Sequence, residues 1–188
     1  MPYLNTTVPQ KSKLYILSKG AVMTAVICVL APLSIPIGPV PISFTNLVIF
    51  LSLYLVGWKM STASCITYIL IGMVGLPVFS GFTGGIGKLL GPTGGYIIGF
   101  IFMALLAGLI IDKFRSPAMQ FLGLAAGTVV CYALGTAWFC FEAHSTINAA
   151  LALCVFPFIP ADLFKIIVAM ILGPKLRERL TQAGLLSN

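Results

Sequence analysis

Six apolar runs, separated by connections of at most sixteen residues, limit this chain more than any other feature. They cover residues 15–35, 45–57, 60–76, 93–111, 117–141 and 147–172. A helix needs roughly 17–25 apolar residues to cross the hydrocarbon of a bilayer. Five runs meet that length, and the second, counted from Ser43, falls just short of it. Only 8% of the 188 residues are charged, against about a quarter in soluble domains, so a water-facing surface could not be covered. Barrel strands alternate between apolar and polar, and these runs do not. The expected fold is all-α, with six transmembrane helices over residues 15–174, a polar arm over 1–14 and a basic tail over 175–188.

The net charge of +7 would suggest nucleic acid in a soluble protein. Here the basic residues flank apolar runs, and no basic patch is interleaved with aromatics, so a lipid membrane explains them better and nucleic acid is not an expected partner. Lys11, Lys13, Lys19, Lys59, Lys113, Arg115, Lys175, Arg177 and Arg179 fall on alternate connections, which is nine of the eleven Lys and Arg residues. The other side holds only Lys88, and Lys165 lies within a run. The positive-inside rule then places both termini in the cytoplasm. No A-x-A site follows a short apolar segment, so a cleaved signal peptide is not expected.

Three connections therefore face outward. The first, PIGPVPISF at 36–44, holds three prolines and no charge, and reads as an extended, polyproline-like loop. The second belongs to residues 72–99, a stretch carrying ten of the nineteen glycines. Such a loop can bring its backbone close to a ligand, because Gly has no side chain and tolerates positive φ. The third is a short turn with Glu142, His144, Ser145 and Asn148.

The last run holds the groups most costly to place in a membrane. Asp162 and Lys165 are three apart and share a helix face. Ionisable residues at membrane depth face an interior or a cavity and mark functional sites by default; the alternative is a pair that only balances its own charge. Pro157 and Pro160 immediately precede them and remove two N–H donors, which kinks the span and frees carbonyls upstream. An Asp accepts from ligand N–H groups and a Lys donates to a carbonyl or carboxylate, so a ligand with both kinds of group suits the pair.

Other chemistry is poorly supported. Five cysteines lie in apolar runs with no CxxC or Cys/His spacing, and His144 is alone, so no metal site is expected. GPTGGY at 91–96 and GGIGKLL at 84–90 lack the GKS or GKT ending of a phosphate loop. No HExxH, GxSxG or paired carboxylates appear, so no catalytic residues and no cofactor are assigned. Ser18, Ala21 and Ala25 place small residues on one face of the first span. Such a face fits internal packing or docking to another membrane protein.

GLPVFSGFTGG at 75–85, LGPTGGYIIGF at 90–100, PIGPVPIS at 36–43 and FPFIPADLFKIIVA at 156–169 together resemble the BioY family, the biotin-specific S components of energy-coupling factor (ECF) transporters. The resemblance runs over nearly the whole chain. It implies a six-helix fold in the cytoplasmic membrane of a prokaryote that captures biotin at the outer face and works with a transmembrane coupling subunit and two ATPase subunits. It implies biotin contacts at Asp162 and Lys165, and a pocket lined or closed by Phe79, Gly84, Gly85, Gly91, Thr93, Gly94, Gly95 and Tyr96. It assigns Ala21 and Ala25 to the face that meets the coupling subunit. Two departures bear on secondary contacts: Thr45-Asn46 follows Phe44 where many relatives have Gln-Thr after the loop serine, and residues 80–83 read Ser-Gly-Phe-Thr. Biotin offers N–H donors, a carbonyl, a carboxylate and an apolar ring, and the sequence leaves open which end meets Asp162 and Lys165. An S component for another vitamin, a stand-alone facilitator and an intramembrane enzyme are the other readings.

Overall fold

The computed structural model describes residues 13–186, so the first twelve residues of the expected N-terminal arm lie outside the described part. Helix α1 covers Lys13–Leu30, α2 Thr45–Met73, α3 Ile86–Leu90, α4 Gly94–Lys113, α5 Pro117–Glu142, α6 Ile147–Cys154 and α7 Ile159–Gln182. Among the described residues α2, α4 and α5 are each long and apolar enough to cross a membrane. The pair α6 and α7, bent by 49°, makes a fourth span if taken together. The apolar part of α1, Leu14–Leu30, is shorter.

The runs expected at 45–57 and 60–76 belong to one assigned helix, α2, broken at Gly57 with φ 77° and ψ 170°. That conformation is open essentially to Gly alone. The hydroxyls of Ser52 and Ser61, nine residues apart, touch. A straight helix would hold them about 13 Å apart at 1.5 Å per residue. The two halves therefore fold back on each other around Gly57.

Two expectations about loops and ends need correcting. The proline segment does not run as one extended stretch: it bends over residues 38–40, so that β1 (Ser34–Ile35) and β2 (Ile42–Ser43) pair antiparallel, with Ser34 opposite Ser43. Pro36, Pro39 and Pro41 lie outside both strands, where a missing N–H costs no ladder bond. The last helix does not stop at Gly173-Pro174; it continues to Gln182 with Pro174 inside it. Lys175, Leu176, Arg177, Glu178, Arg179 and Leu180 follow, all good helix formers, so the expected basic tail is largely helical.

The tightest seam runs between α4 and α5, where small residues let the backbones approach. A Cβ on Gly135 would lie 2.2 Å from the Tyr96 ring, and one on Gly95 would lie 2.3 Å from Trp138 Cβ. Trp138 Nε1 donates to the Gly91 carbonyl at 3.0 Å, tying α5 to the start of α4. The glycine-rich connection is compact: Phe79 bridges to Thr83, and Gly81 N–H donates to the Pro32 carbonyl at 3.0 Å. The proline hairpin and this connection thus meet at one end of the bundle.

Candidate functional site

The break between α6 and α7 builds the site. Residues 155–158 leave the helical ladder, and Pro160 opens α7, where a missing N–H would have no partner anyway. The freed Cys154 carbonyl accepts from the Tyr96 hydroxyl at 3.4 Å, and that hydroxyl also lies 3.2 Å from Thr136 Oγ1. Asp162 then falls in the first turn of α7, where the positive end of the helix dipole favours a carboxylate.

Asp162 is 3% exposed and Lys165 8%. Lys165 Nζ donates to Asp162 Oδ1 at 2.8 Å. The second oxygen, Oδ2, accepts from the Tyr132 hydroxyl at 2.5 Å and from Asn46 Nδ2 at 3.1 Å. One carboxylate thus joins α2, α5 and α7, and both its oxygens are satisfied, as a buried charge requires. Lys165 keeps further N–H donors and Asn46 keeps its amide oxygen. The cluster can therefore both donate to and accept from a polar ligand. A cavity of about 40 Å³ lies over it, walled by Val40 and Ile42 of the proline segment, Tyr96 and Phe100 of α4, Cys131 of α5 and Phe158.

The residues singled out in the sequence take different places. Asp162, Lys165 and Tyr96 line this cavity. Phe79 is fully buried elsewhere, edge-on to Tyr68 with ring centroids 5.5 Å apart, under Gly72. Thr93, Gly94 and Gly95 are buried in the start of α4. Their neighbours are protein: a Cβ on Gly94 would lie 1.7 Å from the Leu89 carbonyl oxygen. Gly84 sits against the Leu76 backbone, Gly85 has φ +90°, and Gly91 accepts from Trp138. None of these seven lines the cavity. Ala21 and Ala25 are exposed on α1 and line a separate groove with Met60, Ala63 and Thr67 of α2, about 530 Å³ in volume. Among the described residues no three His, Cys, Asp or Glu side chains converge as a metal site would require.

Asn46 and Tyr132 are the site residues that sequence reasoning missed. Asn46 stood out only as a departure from a resemblance; a polar residue opening an apolar run was the available signal. Tyr132 sits in a helix rich in Gly, Ala and Thr, where it is the one tyrosine, and no spacing links it to residue 162.

Helices apolar enough to span a bilayer, with a buried polar cluster around Asp162 among them, define a multi-pass membrane protein. Residues 8–182 match the model of the BioY family. The chain is 41% identical over 162 residues to the biotin transporter BioY of Thermotoga maritima, covering 86% of this chain and 95% of that protein. It is 35% identical over 178 residues to the biotin transporter BioY2 of Lactococcus lactis subsp. cremoris, covering 93% and 97%. It also superposes on a crystal structure of the S-component for biotin from an ECF-type ABC transporter, with a TM-score of 0.81 and 31% identity, over 90% of this chain and 94% of that one. The chain belongs to the BioY family.

Proposed function

We propose that this chain captures biotin from outside the cell and serves as the substrate-binding subunit of an ECF-type transporter in the cytoplasmic membrane of a prokaryote. One observation carries the reading: a buried carboxylate, Asp162, meets Lys165, Tyr132 and Asn46 at a cavity inside an apolar bundle. Such an arrangement suits a ligand with N–H donors and a carbonyl on one compact ring, as biotin has, and the relatives named as biotin transporters support that choice. Asp162 and Lys165 are the main anchors, with Tyr96, Asn46 and Tyr132 beside them. The glycine-rich connection acts mainly through position: Gly94 and Gly95 let α4 start close against its neighbours and so set Tyr96.

The topology belongs to the same proposal. With α2 folded back at Gly57 and α6 with α7 counted together, six segments traverse the bundle, both termini are cytoplasmic, and the proline hairpin and glycine-rich connection face outward. The chain carries no nucleotide motif, so energy comes from two ATPase subunits through a transmembrane coupling subunit seated on the Ala21 and Ala25 face.

Equilibrium binding of radiolabelled biotin to the purified protein tests the site. Asp162→Asn and Lys165→Ala are each expected to weaken binding tenfold or more, at least ~1.4 kcal/mol. Wild-type affinity in both would overturn the assignment.

A further inference from the structure

Broken at Gly57, helix α2 crosses a bilayer fully in neither half. Twelve of its residues precede the glycine and sixteen follow it, about 18 Å and 24 Å at 1.5 Å per residue. The hydrocarbon core is about 30 Å thick, and the neighbouring α4 has twenty residues with which to cross it. The Gly57 end lies at one interface. Lys59 Nζ stands 5.5 Å from the centroid of the Trp58 ring, and an aromatic ring with a basic group anchors chain at headgroup level. Other charged groups share that level. A Cβ on Gly57 would lie 3.8 Å from Asp112 Oδ2, and Arg177 Nη1 donates to the Tyr54 carbonyl at 3.4 Å. Measured from this end, the last ~6–12 Å of hydrocarbon lies beyond both ends of α2. The proline hairpin and the glycine-rich connection occupy that depth.

We propose that these two connections form a lipid-contacting surface, immersed in the leaflet on that side with their exposed side chains among the acyl chains. Charge is the first support. Residues 31–44 and 74–93 together hold one charged group, Lys88, whereas the five residues joining α4 to α5 hold three. Side-chain exposure is the second. Ile35, Ile37, Val74, Phe82, Ile86 and Leu90 are each more than half exposed, and an apolar surface of that extent in a connection marks contact with a membrane or a partner. The Gly81 bond to the Pro32 carbonyl joins the two connections into one surface. Backbone is the third support, because polar backbone groups at membrane depth must be satisfied within the protein. Six of the chain's twelve prolines fall in these connections and carry no N–H. Phe79 N–H donates to the Thr83 carbonyl at 2.9 Å and Gly85 N–H to the Gly72 carbonyl at 2.7 Å, while Ile35 pairs with Ile42 across the hairpin. The immersion holds for either direction of insertion and for any ligand.

Tryptophan fluorescence of the full chain in liposomes tests this. Ile37→Trp and Phe82→Trp each add one reporter to Trp58 and Trp138, and subtracting the wild-type signal isolates it. Phospholipids brominated on the acyl chain are expected to quench at least roughly half of the added emission, and iodide in the buffer to quench it at least about threefold less than free tryptophan. Added emission that iodide quenches as fully as free tryptophan, and that brominated lipid leaves unchanged, would overturn the proposal. The bilayer would then thin around α2 and leave the connections in water. Added emission shielded from both quenchers would also overturn it, by showing a protein surface, a second copy included, in place of lipid. Should either variant not fold, a phospholipid carrying a diazirine on its acyl chain decides on the unaltered chain. Photo-adducts are expected within residues 33–44 or 74–90, and adducts confined to residues outside both connections would refute the immersion.

Discussion

At the scale of single residues, Asp162 organises three helices. Its charge is buried, and both oxygens are occupied by Lys165, Tyr132 and Asn46. Removing one member of a buried ion pair costs about 3–5 kcal/mol, because the other charge is left uncompensated. Removing one hydrogen bond to a charged group costs about 1.5–3 kcal/mol. Lys165→Met is therefore expected to lower the unfolding midpoint in detergent more than Tyr132→Phe does. The reverse order would show that Tyr132, not Lys165, holds the carboxylate. The Asp162–Lys165 pair was legible in the sequence, because ionisable groups are costly in an apolar run and helical spacing lets these two face one another. Asn46 and Tyr132 were not, because they reach Asp162 across 116 and 30 residues and only the tertiary fold brings them there.

At the scale of elements, apolar length and proline placement carried most of the reading. The glycine-rich stretch invited a ligand-binding interpretation, but close packing accounts for several of its glycines. Gly94 and Gly91 separate the two roles. A methyl on Gly94 would lie 1.7 Å from a backbone oxygen, whereas one on Gly91 would meet nothing closer than 3.3 Å. Gly94→Ala is expected to destabilise the protein by about 1–3 kcal/mol through overpacking, and Gly91→Ala by clearly less; thermal unfolding of both variants checks the contrast. Gly57 is a conformational case, with φ 77° and ψ 170°. Gly57→Ala is expected to cost about 1–3 kcal/mol and to lower the yield of folded protein on size-exclusion chromatography. In the sequence Gly57 closes one apolar run three residues before the next begins. The sequence did not reveal the β1–β2 pairing, because two-residue strands flanked by prolines carry no period for pattern reasoning to detect.

At the scale of the whole molecule, two exposed features lie apart. The Ala21 and Ala25 groove is formed mainly by α1 and α2, while a second groove is formed by α5, α6 and α7 beside Asp162. Docking and ligand capture should therefore separate. Ala21→Trp with Ala25→Trp is expected to abolish co-purification of the coupling subunit and leave biotin affinity within about twofold, well under the ~1.4 kcal/mol of a tenfold change. Loss of both together would place the ligand and the partner on one surface. The hydropathy and charge pattern made a multi-pass helical membrane protein legible from the outset, whereas the path of a ligand through it depends on helix packing that no local pattern records. The most direct measurement is a calorimetric titration of the purified chain with biotin, with thiamine as the control ligand, on the wild type and on Asp162→Asn. Saturable binding of one biotin per chain, none of thiamine, and a loss of at least tenfold in Asp162→Asn is the expected result. Undiminished biotin affinity in Asp162→Asn, or thiamine binding as tight as biotin, would contradict it.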